Sequence, residues 1–359
     1  MHIVKGKTLN EVVFQLLELL TTSGHKTPSR NGDVLSLYDV SIIIENPRSR
    51  HLNLIGRTNN IFATFAETFW VLAGQKNIHP YLSFFLPRAR LYSDDGLSWR
   101  AAYGERLYAY NQLENVIDIF KEEGIYTRRA VISLYMPNKD TKTSLKQIHN
   151  VSATKDIPCN NLIHFFVTPD KKLNIKVIQR SGDVIFGVSN INIFEFGLLH
   201  ELILNILKLE VDSELELGYH NQSVTNLHLY DSTSKQAYDV LENEQKQELS
   251  NTNYDTISFP NSINANKKLF TSLIDKFSEL ITDEKYTYND AKGTLQHIFE
   301  ELNVPVKGNL LWGYTVAILS FVFQEKYGKK IEVDKEHFCS EFTDSIANNF
   351  FNRYQIKEK

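Results

Sequence analysis

The chain has 359 residues, 42% hydrophobic and 23% charged, which at about 150 residues per domain allows roughly two domains with sizeable cores and excludes a disordered or collagen-like chain. Lysine and arginine number 39 against 43 aspartates and glutamates, a net charge of −4, so no nucleic-acid partner bound through bulk charge is expected, although a local basic pocket is compatible with that balance. The two cysteines, Cys159 and Cys339, stand far apart without a Cys-x-x-Cys or His/Cys cluster, so neither a disulfide framework nor a structural metal site is expected.

Leu9, Val12, Val13, Leu16, Leu17 and Leu20 form a helical stripe that stops before Gly24. A loop with Pro28, Arg30 and Gly32 leads into a strand over 36–45. Behind the polar Asn59 and Asn60, the spacing of Phe62, Phe65, Phe69, Trp70 and Leu72 predicts a helix with one acid, Glu67, among apolar neighbours. A third helix covers 113–121 and closes at Gly124, and the β-rich run 130–136 follows. Two apolar runs between Asn161 and Gln179 flank Pro169-Asp170-Lys171-Lys172, a hairpin signal.

A long helix over 192–209, strand-like runs at 214–219 and 223–230, and a polar helix ending near Glu248 complete a first unit, residues 1–248. Residues 249–266, rich in Ser, Thr, Asn and Pro, read as a linker, and 267–359 as an all-α extension with helices near 267–282, 290–303, 309–326 and 335–353. The start lacks the apolar core of a signal peptide, and the longest apolar run, Leu310 to Phe323, contains Gly313, Thr315 and Ser320 and is too short for a span of ~20 residues. A cytoplasmic protein without a membrane partner is expected. His200-Glu201 opens a zinc-protease pattern, but Leu204 takes the place of the second ligand, and no glycine-rich phosphate loop of Rossmann or Walker type is present.

The most specific constellation is Asp156-Ile157-Pro158-Cys159, a strand and hairpin, then Gln179-Arg180-Ser181-Gly182-Asp183 with Gly187 and Asn192. This order and spacing resembles the thymidylate synthase family. Glu67-Thr-Phe-Trp70-Val-Leu-Ala-Gly74 resembles that family's acid-bearing helix, Tyr103-Gly104 its Tyr-Gly segment, Arg128-Arg129 its arginine pair and His228-Leu-Tyr230 its sugar-binding strand. Arg30-Asn-Gly32 is a looser match to its phosphate loop. The resemblance covers about residues 25–231 and implies an α+β fold, a mixed β-sheet covered by helices, here followed by the C-terminal all-α extension. It also implies one-carbon transfer from methylenetetrahydrofolate to C5 of a pyrimidine nucleoside monophosphate, deoxyuridylate first, by a homodimer with shared active sites.

The implied chemistry accounts for the residue types. C5 of uracil is a poor nucleophile until a thiolate adds at C6 and turns the ring into an enolate. The resemblance assigns that attack to Cys159, with Arg180 favouring the thiolate. Glu67 moves protons near O4, its burial raising its pKa, and Tyr103 completes the catalytic set. Arg30, Arg128, Arg129 and Arg180, with Ser181, form the phosphate grip, the Arg128–Arg129 pair reaching into the partner's site. Gln179 is assigned to the nucleotide, and Asn192 to its base. The Asn192 amide can accept from N3–H and donate to O4, which selects uracil over cytosine. Because the chain has one residue more than the family between Gly187 and Asn192, Asn190 competes for that place. His228 and Tyr230 alternate onto one strand face toward the sugar. Asp183 and Gly187 lie on the folate side, with a helix N-cap as the alternative role of Asp183.

Three departures bear on the product. Asn160 follows the cysteine where the family has histidine. The family's tryptophan against the exocyclic methylene, counted back from Tyr103, falls on Ala89, and Trp99 stands too close to Tyr103 in sequence to take that place without rearrangement. The extension replaces a short tail that closes over the folate. Thymidylate is the expected product. A deoxyuridylate or cytidylate hydroxymethylase is the alternative, and a nucleotide-binding regulator without turnover is the rival from another class.

Overall fold

A computed structural model describes residues 1–58, 60–247, 249, 256–283 and 285–328. Asn59, Glu248, Cys339 and the helix expected over 335–353 lie outside the described residues. Eight strands form one mixed sheet: β1 (His2–Gly6), β2 (His25–Ser29), β3 (Gly32–Ile44), β4 (Val131–Ser133), β5 (Asn160–Val167), β6 (Lys172–Gln179), β7 (Gly182–Asp183) and β8 (Glu216–Tyr230). Their order is β1-β3-β8-β6-β5-β4, with β2 paired to β3 and β7 to β8. The β1/β3, β6/β8 and β7/β8 pairs are parallel and the rest antiparallel, in agreement with the mixed α+β sheet expected.

Several boundaries differ from the sequence reading. The loop around Pro28 and Arg30 is a hairpin, because Gly32, at φ 109°, closes a tight turn between β2 and β3. The two runs at 214–219 and 223–230 are one strand, β8, while the run over 130–136 is extended only from Val131 to Ser133. β1 was not anticipated: its five residues present only Val4 and Gly6 to the core, so no hydrophobic run marks it.

Helix α1 (Leu9–Ser23) starts where the Thr8 hydroxyl accepts from the Glu11 N–H, and it buries its leucine and valine stripe against β3. In α2 (Ile61–Leu72), capped by the Asn60 side chain on the Ala63 N–H, every residue is buried. Next come α3 (Tyr103–Tyr108), α4 (Gln112–Glu123), a π-helix from Val184 to Asn192, α5 (Ile193–Glu210) and α6 (Ser234–Glu242). The polar helix therefore ends at Glu242, short of Glu248. One sheet face lies under these helices, with Ile163, Phe165, Ile175 and Val177 fully buried. On the opposite face of β5 and β6, Leu162 and Phe166 are half-buried and Ile178 is exposed.

The C-terminal helices are α7 (Ile263–Thr282), α8 (Tyr288–Glu301) and α9 (Leu310–Tyr327). α7 begins four residues inside the stretch read as a linker, because Ser262 caps it through the Ala265 N–H. The three helices share one apolar core with α2 and α5. Phe270 packs edge-on to Phe69, and Tyr314 lies tilted against Phe65 at 4.4 Å while its hydroxyl pairs with His51 Nε2 at 2.7 Å. The back of the acid-bearing helix is thus covered by the extension. No helix among the described residues is long and apolar enough to cross a membrane.

Candidate active site

A cavity of about 390 Å³ opens where α2, α3, the π-helix and the C-terminal ends of β6 and β8 converge. Cys159, at the end of an extended Asp156-Ile157-Pro158 segment, is on its wall, partly buried. The hairpin returns Arg180 beside it: Arg180 Nη2 is 3.8 Å from Cys159 Sγ, and the guanidinium is fixed by donating to the carbonyls of Pro158 (3.0 Å) and Ile157 (3.1 Å). Burial holds the thiol above its ordinary pKa, with the charges of Arg180 and Arg30 pulling it back down. The expected arginine effect is present, but desolvation exceeds it. Asn160 directs its backbone N–H (3.1 Å) and its Nδ2 (2.9 Å) onto the Tyr103 hydroxyl and accepts from Gln222 Nε2 at 2.8 Å. Gln222, absent from the sequence reading, sits on the buried face of β8 between His220 and Val224.

Glu67 reaches the cavity from α2 with 9% exposure, and burial alone pushes its carboxyl up to about 8. Asn192 lines the cavity, whereas Asn190 is buried off it. The reason is the π-helix, which takes up one extra residue per turn relative to an α-helix. Its wider turn sets Asn192, five residues on, over Gly187, where a Cβ would meet Asn192 Oδ1 at 3.7 Å. Asn192 Oδ1 accepts from Gln179 Nε2 at 3.1 Å.

Arg30, Ser181, Asp183, His228 and Tyr230 line the other end. β7 sets Asp183 opposite His228, and the rings of His228 and Tyr230 meet edge-on at 5.0 Å. Asp183 caps the π-helix through the Ile185 N–H (2.9 Å), the alternative role weighed for it, and it also lines the cavity. Burial raises its pKa against the pull of that N–H, of His228 and of Arg57. Arg128 and Arg129 are exposed and stand off the cavity, with Arg129 paired to Glu123.

Trp99 lies on the cavity wall although it stands close to Tyr103 in sequence: the intervening loop turns its indole there, edge-on to Trp70 at 5.5 Å. The indole N–H donates to the Ala89 carbonyl at 2.8 Å, so Ala89 is buried behind it as its anchor. Tyr92 lies on the rim. These planar walls and the Asp183 carboxylate, with Gly187 also on the lining, fit a flat heteroaromatic ring beside a nucleotide. His200 is a core residue bonded to the Leu173 carbonyl at 2.8 Å, and Glu201 is held by Arg48 and Arg50, so neither faces the cavity.

The model of the thymidylate synthase family matches residues 15–269. The chain is 41% identical over 245 residues to the deoxyuridylate hydroxymethyltransferase of Delftia phage PhiW-14, covering 68% of this chain and 66% of that one. It is 30% identical over 235 residues to the enzyme of the same name from Pseudomonas phage M6, covering 64% and 62%. A thymidylate synthase of Mycoplasma genitalium is 30% identical over 137 residues, covering 37% and 41%. The match spans just under two thirds of the length of the phage relatives.

Proposed function

This chain belongs to the thymidylate synthase family, and from that premise we propose that it transfers the one-carbon unit of methylenetetrahydrofolate to C5 of deoxyuridylate and releases the 5-hydroxymethyl nucleotide. The observation that carries the reading is Cys159 Sγ 3.8 Å from Arg180 on the wall of a cavity that also presents Glu67 and Asn192. The names of the phage relatives favour the hydroxymethyl product.

Cys159 adds to C6, and the ring's electron pair moves onto O4. Arg180 stabilises the sulfur as a thiolate before attack and after release. Asn192 accepts from N3–H and donates to O4. Arg30, Arg180 and Ser181 bind the phosphate, and His228 and Tyr230 the sugar. The folate, when bound between Asp183 and the Trp99 wall, supplies a carbon at the oxidation level of formaldehyde. Glu67 serves proton transfer at O4 and at the water that adds to the nucleotide's exocyclic methylene. The balance is deoxyuridylate, methylenetetrahydrofolate and water giving 5-hydroxymethyl-deoxyuridylate and tetrahydrofolate.

A homodimer with shared sites is part of this reading. The open sheet face with Leu162, Phe166 and Ile178 suits a second copy, and in this reading Arg128 and Arg129, off their own cavity, complete a neighbour's phosphate site. Methyl transfer is the second reading, favoured by Trp99, which narrows water's access to the reacting carbon.

Product mass separates the two, since hydroxymethyl carries one more oxygen atom than methyl. Tetrahydrofolate with an oxygen-bearing nucleotide is expected, whereas stoichiometric dihydrofolate, seen by its ultraviolet absorbance, overturns the hydroxymethyl assignment. With 5-fluoro-deoxyuridylate and methylenetetrahydrofolate, intact mass should show a covalent adduct that Cys159→Ser abolishes while nucleotide binding persists. An unmodified wild-type protein at saturating ligand would sink the catalytic reading.

A further inference from the structure

We infer that Glu195 is a positioning residue that sets which way the Asn192 carboxamide faces the base and that shares a single proton with Glu67. The inference rests on the nucleotide-binding reading above. Glu195 stands in the first turn of α5, three residues after Asn192, and is 1% exposed. Asn192 Nδ2 donates to its Oε1 at 3.2 Å.

That bond ends a chain of side-chain amides. Asn192 Oδ1 accepts from Gln179 Nε2 at 3.1 Å, Gln179 Oε1 from Gln222 Nε2 at 2.9 Å, and Asn160 Oδ1 from the same Gln222 nitrogen at 2.8 Å. A carboxamide has nearly the same shape after a half-turn that exchanges oxygen and nitrogen, so only its partners decide its orientation. Turning Asn192 would set its NH₂ against the NH₂ of Gln179 and its oxygen against the Glu195 oxygen that now accepts from it. As it stands, one N–H goes to Glu195, which leaves the second N–H for a carbonyl at C4 and the oxygen's other lone pair for N3–H. That is the uracil pattern. Cytosine offers an amino group and a bare nitrogen at those two positions.

The second oxygen of Glu195 and the Oε2 of Glu67 are both buried without a hydrogen-bond partner among the described residues, and neither carboxyl is in an ion pair there. α2 packs on α5 and brings Glu67 within electrostatic reach of Glu195, as α3 brings Tyr103; the Glu67 charge adds to burial in raising the Glu195 pKa, and the Glu195 charge helps to raise that of Tyr103. Two carboxylates in one apolar site with no cation do not both ionise, so the pair retains a proton. A protonated Glu195 still accepts from Asn192 through its carbonyl oxygen, so the orientation survives.

The test compares wild-type protein, Glu195→Gln and Glu67→Gln by calorimetric titration with deoxyuridylate and deoxycytidylate from pH 5 to 9, beside thermal melts and infrared spectra. In Glu195→Gln the side chain keeps its size but offers an NH₂ that no longer enforces one orientation. The deoxyuridylate-to-deoxycytidylate affinity ratio should fall roughly tenfold to a hundredfold, and the alkaline pH dependence of binding should move to lower pH, which a merely structural role would not do. Glu67→Gln should keep the ratio and also move that pH dependence to lower pH, because the buried Glu195 then titrates without the neighbouring charge. An unchanged ratio in a folded Glu195→Gln that still binds deoxyuridylate overturns the positioning role. The wild-type infrared spectrum at neutral pH should show a buried protonated carboxyl that Glu67→Gln alters; its absence overturns the shared proton even if no variant folds. Wild-type protein that binds neither nucleotide sinks the functional reading instead, and the infrared band then decides the carboxyl pair alone.

Discussion

Glu67 and Cys159 obey the same rule with opposite help. Each is a group whose charged form burial disfavours, but Cys159 has Arg180 and Arg30 pulling against the desolvation, and Glu67 has no such partner. For stability this difference has a sign. The Glu67 carboxyl titrates near its ordinary 4.5 in the unfolded chain and at about 8 in the fold, so between those values the native state keeps a proton that the unfolded chain has released. Stability should therefore fall as pH rises through that window, by a few kcal/mol at most, and level off above it. Thermal melts of wild type and Glu67→Gln from pH 5 to 8 check this: the variant should be flatter, and parallel curves would contradict the assignment of the proton to this site.

At the scale of elements, the π-helix and α9 each solve a placement problem. The extra residue after Gly187 would rotate Asn192 off the cavity in an α-helix, and the wider turn absorbs it. α9 backs α2 with Tyr314, which fills the space between Phe65 and Phe194 and bonds to His51. Truncating a fully buried aromatic costs about 3–5 kcal/mol, so Tyr314→Ala should lower the unfolding free energy by that much and move the urea midpoint down accordingly. Activity should fall with it, because the cavity left behind α2 loosens the helix that aims Glu67. Urea melts and turnover measured below the transition give the answer, and a neutral substitution would show that α9 does not buttress the site.

At the scale of the whole molecule, the sheet is dry on one face and open on the other. Its open face carries Leu162 and Phe166, and beyond its edge stand Arg128 and Arg129. If two copies close on that face, an Arg129→Ala chain and a Cys159→Ser chain each spoil a different part of a shared site, and mixing them should create one intact site per heterodimer. Activity recovered on mixing is the expected result, rising toward about a quarter of the wild-type value for random re-association in a closed two-fold dimer. Two dead chains with no recovery would place the arginines within their own subunit or outside the reaction.

What could be read along the chain is what sits close together along the chain. Pro158-Cys159 and Gln179-Arg180-Ser181-x-Asp183 bracket a hairpin, and pairing of β5 with β6 then obliges Arg180 to return beside Cys159. Helices α1, α2 and α5 announce themselves through apolar spacing for the same local reason. The rest depended on contacts between distant segments. Trp99 reaches the cavity through a loop whose path no periodicity encodes, anchored on Ala89, and the choice of Asn192 over Asn190 needed the helix type itself. Glu195 reads as one acid in an apolar helix until α2 brings Glu67 within electrostatic reach of it, and the extension reads as an appendage until Tyr314 is found between Phe65 and Phe194. Motifs and periodicities are local and survive in one dimension. Burial, the pairing of unneutralised charges and the orientation of an amide are properties of neighbours, and only tertiary packing chooses the neighbours.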